Sequence, residues 1–195
     1  MFQQEAVTPR SGFCAGRELN VDERVLQAVS ALEGRHIWDR TRAADMEMFQ
    51  FGDRVTQEFR GEVRTVGEWA LHLIGGWRIR ASGRVLVGRR DFWVPARGVS
   101  DDDFKPHSLG GSRRDELMEQ FLAHGETVHR AESATLGEAG DLRLVFTDGC
   151  VLETLTDLGF VEPADDETNE CWRLFQPATE LPHVVVRPGG VIEYE

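Results

Sequence analysis

The shorter of two periodicities governs most of this chain. Trp69, Leu71 and Leu73 alternate with Ala70 and His72, and Trp77, Ile79 and Ala81 alternate with Arg78, Arg80 and Ser82. A period of two puts apolar side chains on one face of a strand and polar ones on the other. Gly75-Gly76 divides these two runs, and Ser82-Gly83 predicts a tight hairpin into residues 85–87. Further strands are expected at 36–42, 45–51, 127–135, 142–146, 150–156, 172–175, 183–187 and 191–194. The polar stretch 52–67 reads as a loop or a ragged hairpin. Such a chain must build antiparallel sheets.

The helical period occurs twice. Asn20 with Glu23 predicts a capping box, followed by Val21, Val25, Leu26, Val29 and Leu32 on one face and Gly34 as a stop. Ser112 with Asp115 predicts a second cap, followed by Leu117, Met118, Phe121 and Leu122 and a stop at Gly125. Each helix leads into strands and then a Trp-Arg-aliphatic triplet, Trp77-Arg78-Ile79 or Trp172-Arg173-Leu174. The spacing from Phe51 to Trp77 equals that from Phe146 to Trp172, 26 residues. The expected fold is α+β, mostly antiparallel, with two similar halves from an internal duplication. Residues 1–18 read as a loose lead-in, 19–97 as the first half, 98–111 as a Pro/Gly/Asp linker, and 112–195 as the second half, with one shared core as an option. Alternation turns Trp77 and Trp172 inward and Arg78 and Arg173 outward, where acids such as Asp45 and Asp148 are expected to pair with them.

The strings AADMEMFQFGD, GEWALHLIGGWRI and ECWRLFQP resemble a small family of uncharacterised bacterial proteins of actinobacterial type. The resemblance implies a bacterial source and an intact fold. No established activity attaches to that family, so no catalytic residue carries over.

Charge bounds the function. With 22 basic and 34 acidic residues the net charge is -12, which opposes general binding to nucleic acid or an anionic membrane. No membrane span or signal peptide is visible, and a cytoplasmic protein is expected. Residues 35–97 carry 12 basic and 8 acidic side chains, whereas 148–195 carry 2 and 11. Glu162, Asp165, Asp166, Glu167 and Glu170, with Arg78 and Arg173, are therefore the candidate binding residues.

Phosphate loops, nucleophile elbows and zinc-protease motifs are absent from the sequence. Ser108-Leu109-Gly110-Gly111-Ser112 reads as a linker and cap before it reads as an anion cradle. Asp101-Asp102-Asp103 reads as solvated charge. Cys14, Cys150 and Cys171 form no CxxC pair and read as reduced apolar residues, Cys150 and Cys171 on neighbouring strands. The spacing of ligands predicts no metal and no cofactor, with His124, His129 and Cys150 the first suspects if a metal were found. The leading reading is a non-enzymatic protein-binding module, of immunity type in one version, presenting its acidic face to a basic partner. The alternative is an enzyme or small-ligand binder using His72, Asp45 and Asp148 in a cleft between the halves. A third reading is single-stranded nucleic-acid binding through Arg78, Arg80, Arg84, Arg89 and Arg90 with Trp77 and Trp93.

Overall fold

A computed structural model describes residues 21–123, 129–157, 159 and 169–195. Among them are helices α1 (Glu23–Ser30) and α2 (Arg113–Leu122) and eleven strands. The strands are β1 (Ile37–Ala43), β2 (Met46–Phe59), β3 (Glu62–Leu73), β4 (Gly76–Ala81), β5 (Arg84–Gly88), β6 (Ala131–Leu136), β7 (Leu142–Phe146), β8 (Val151–Leu155), β9 (Trp172–Phe175), β10 (Val184–Arg187) and β11 (Val191–Tyr194). They form a six-stranded sheet, β1-β2-β3-β9-β10-β11, and a five-stranded sheet, β5-β4-β8-β7-β6. Neighbouring strands pair antiparallel throughout. No described helix is long and apolar enough to cross a membrane.

The connectivity exchanges strands between the sheets. The meander β1–β3 lies in the first sheet, and the chain then crosses to the second for β4 and β5. The meander β6–β8 lies in the second sheet, and the chain crosses back for β9–β11. Each crossing strand docks on the other meander, β9 on β3 and β4 on β8. Both sheets therefore draw on both sides of the 98–111 segment, and a single apolar core joins them. Phe49 of β2 meets Trp77 of β4 edge to face at 6.2 Å across that core. Trp172 is fully buried and its indole N–H donates to the Gly140 carbonyl at 2.8 Å.

Several expectations need correcting. The equal 26-residue spacing is filled by different structures. Between Phe51 and Trp77 the chain runs out along β2 and back along β3, while between Phe146 and Trp172 it turns tightly into β8, a strand of five residues with no equivalent of that long hairpin before 158 and 160–168 pass outside the described residues. Of the two readings of 52–67, loop or ragged hairpin, the second holds: the stretch is the outer part of that long hairpin, turned at Arg60-Gly61 with both residues at positive φ. That is the backbone a two-residue hairpin loop requires. Helix α1 is capped by Asp22, whose carboxylate accepts from the Arg24 amide at 2.9 Å, and it starts at Glu23 rather than at Asn20. Cys150 and Cys171 precede strands of different sheets, and neither is in a disulfide. The lead-in 1–18, Cys14, Asn20, His124 and Gly125 lie outside the described residues.

Candidate functional site

Helix α2 closes one end of the sandwich with charge instead of hydrocarbon. In β2, Glu47 is in phase with Phe49 and Phe51 and points inward, fully buried. Arg40 and Arg42 of β1 share that face. From α2, Arg114 and Asp115 enter beside the apolar Met118 and Phe121. Arg42 donates to both oxygens of Asp115, at 2.7 and 2.9 Å, and to the Pro106 and Ser108 carbonyls at 3.1 and 2.7 Å. The Ser112 hydroxyl and the Gly110 amide donate to the same carboxylate at 3.0 and 3.1 Å. The Ser108–Ser112 cradle is thus filled by the chain's own anion. Burial alone would raise the Asp115 carboxyl, but hydrogen bonds from Arg42, Ser112 and Arg40 outweigh it and hold the group down at about 2.

Glu47 behaves differently. Arg40 and Arg114 approach it at 3.3 and 3.2 Å, yet neither contact is aligned as a hydrogen bond. Burial pushes its carboxyl up against the pull of both cations. Arg114 also lies over the rings of Phe92 and Trp77. A cleft of about 530 Å³ adjoins this network, lined by Asp39, Arg40, Leu109, Asp115 and Glu119 among others. Of its charged groups, Arg40 and Asp115 are tied to each other, and Arg42 ties Asp115 to the Pro106 and Ser108 carbonyls, which is the arrangement of a structural clamp for the 98–111 segment.

The candidate catalytic residues have separate partners. His72 lies on the outer face of β3 against Phe175, ring centroids 4.8 Å apart, and burial followed by the Arg173 charge lowers it to about 4. Asp45 sits in the β1–β2 turn and holds Arg89 at 2.8 Å. Asp148 sits in the β7–β8 turn, 3.0 Å from His129. Arg78 and Arg173 do face outward, but their acids are not Asp45 and Asp148. Arg78 and Arg80 share Glu153 on the neighbouring strand β8, at 2.9 and 2.8 Å. Arg173 binds Glu170 and donates to His183 Nδ1 at 2.7 Å. Glu162, Asp165, Asp166 and Glu167 lie outside the described residues.

A second groove, of about 500 Å³, opens beside the terminal strand β5. Gly76 and Trp77 lie at its base, and Val85, Val94 and Leu155 line it with Arg89, Arg90 and Asp91. The strand itself is exposed from Arg84 through Leu86. Trp93, in the short helical turn after β5, is 58% exposed. Arg84 and Arg90 make no ion pair or side-chain hydrogen bond among the described residues, whereas Arg89, Arg97 and Arg113 nearby each hold an acid. Sequence reasoning placed Trp93, Arg84 and Arg90 only within a nucleic-acid set, of which Trp77 is buried and Arg78, Arg80 and Arg89 are paired.

Fold and grooves define a two-sheet α+β protein in which β5 ends its sheet among the described residues. No family model, no curated protein and no solved structure matches the chain.

Proposed function

We propose that this chain is a non-enzymatic protein-binding module, bacterial like the family its strands resemble. It takes up an extended segment of another protein along β5 and the adjoining groove. The observation that carries this reading is the groove beside β5, the terminal strand of its sheet among the described residues, lined by the exposed Val85, Val94 and Leu155, with Leu86 of β5 and the nearby Trp93 exposed as well. Exposed apolar side chains scattered singly need no explanation, whereas a contiguous set at an edge marks an interaction surface. A terminal strand also offers backbone donors and acceptors to a further strand. Arg84 and Arg90 set the chemistry of the occupant, an extended segment in which acidic side chains alternate with apolar ones. Trp and Arg together are the residue types that most often dominate such contacts. The sequence had pointed to acids at 162–170 and a basic partner, so the class of function is kept and the surface moves.

The test is a random peptide library displayed against the whole protein. Enriched sequences should alternate apolar and acidic residues. Their affinity should fall at least tenfold in Trp93→Ala and in Arg84→Glu/Arg90→Glu, with far-ultraviolet circular dichroism unchanged, and should weaken as salt rises. Equal binding by these variants, or no enrichment, would remove the reading.

A further inference from the structure

We propose that His129, Asp148 and Cys150 bind one divalent ion of the zinc class. Their ligand atoms all lie within 4.8 Å of one another, a cluster that spacing in the sequence did not predict. Tetrahedral zinc, with bonds of about 2.0–2.3 Å, holds its ligands roughly 3.3–3.8 Å apart. Side-chain rotations can close that difference without moving a strand.

The imidazole is held in the manner of a metal ligand. Its face stacks on Phe121 at 3.7 Å, and Nε2 lies 2.6 Å from the Phe121 carbonyl, to which it donates. This fixes the proton on Nε2 and leaves Nδ1 as the lone-pair nitrogen, the outer contact that metal-bound histidines typically make. Nδ1 is buried and has no aligned hydrogen-bond partner among the described residues. The Asp148 carboxylate stands 3.0 Å away but off the axis of a hydrogen bond. A lone pair and a carboxylate this close share a cation, either a proton on Nδ1 or a metal ion held by both. Asp148 is oriented by the Cys150 amide, which donates to its other oxygen at 3.1 Å.

Cys150 supplies the soft ligand. In the metal-free protein Cys150 is a buried free thiol that carries its proton. Metal binding replaces that proton. The S–H bond breaks, a metal–sulfur bond forms, and one proton passes to solvent. With three protein ligands, water completes the fourth position. Nitrogen, oxygen and thiolate together suit zinc better than magnesium or calcium.

The experiment titrates cobalt(II) into the metal-free full chain. The expected result is one equivalent bound, a thiolate-to-cobalt charge-transfer band in the near ultraviolet, and one proton released. The band should vanish in Cys150→Ser, persist in Cys171→Ser, and need at least tenfold more cobalt in His129→Gln. Because a buried substitution can unfold the chain, Asp148→Asn provides a second measurement. Zinc should raise the melting temperature of the wild type and leave that of Asp148→Asn unchanged. A wild type with no band and no shift in melting, or a band that survives in Cys150→Ser, overturns the site.

Discussion

Asp115 is where a single residue carries the most structure, because its amide donates to Ser112, the N-cap of α2, and its carboxylate accepts from Arg42 and from the Gly110 amide. Removing one partner of a buried pair costs about 3–5 kcal/mol, since the other charge stays behind without solvent. Asp115→Ala should lose that much in urea unfolding, and Asp115→Asn less. The same carboxylate sets an acid limit. Its folded value lies near 2, below the unfolded one, so its contribution is complete above about pH 4 and is lost as pH falls from there toward 2. His72 acts in a higher window. Its folded value of about 4 lies below the usual 6.5, so the unfolded chain binds the extra proton between those values. Stability should be full above pH 6.5 and decline by up to about 3 kcal/mol toward pH 4. Arg173 faces both His72 and His183 and opposes their protonation, while Glu170 favours it; His183 is lowered by burial and then Arg173, and adds to the same decline. Midpoints of urea unfolding for His72→Phe should be flatter across this range than for the wild type. Equal slopes would show that the imidazole is free to protonate in the fold.

The long hairpin β2–β3 carries the lesson at the scale of elements. Its inner part, where Phe49, Phe51, Leu71 and Leu73 face the core, was legible as alternation. Its outer part has no buried face, so nothing in residues 53–65 imposes a period, and the sequence left loop and ragged hairpin both open. The two parts meet at a bulge between Phe51 and Arg54. Opposite it, a Cβ on Gly67 would stand 2.7 Å from the Trp69 carbonyl oxygen and 2.8 Å from the Phe51 amide. Backbone cannot yield there, so Gly67→Ala should cost about 2 kcal/mol or more in thermal or urea unfolding. Gly61→Ala, at an open positive-φ turn, should cost about 1 kcal/mol. Similar losses for both would show that the bulge is not a constraint. The inward turn of Trp77 and Trp172 and the Ser82-Gly83 hairpin were correctly legible, because each depends on local period or turn chemistry. The buried charges were missed although a signal existed, for Glu47 is in phase with two phenylalanines and therefore had to face inward.

For the whole molecule, the sequence indicated α+β architecture and antiparallel strands, but not the exchange of strands between sheets. Pairing of β3 with β9 joins residues 99 to 105 positions apart and pairing of β4 with β8 residues 71 to 79 apart, which no local pattern encodes. A helix, a three-stranded meander and crossing strands follow in that order on both sides of the 98–111 segment, with two crossing strands after the first meander and three after the second. The sites follow the same division. His129, Asp148 and Cys150 meet because a hairpin turn and the start of β6 lie together, and the exposed edge exists because β5 ends its sheet. Hydrogen exchange on the intact protein, with and without a selected peptide, tests the binding account most directly. Slowed exchange should centre on amides 84–94, reporting a strand added along β5 and contact over Trp93. If protection appears instead in 157–170, the acidic segment is the contact surface, and the account given for β5 is wrong.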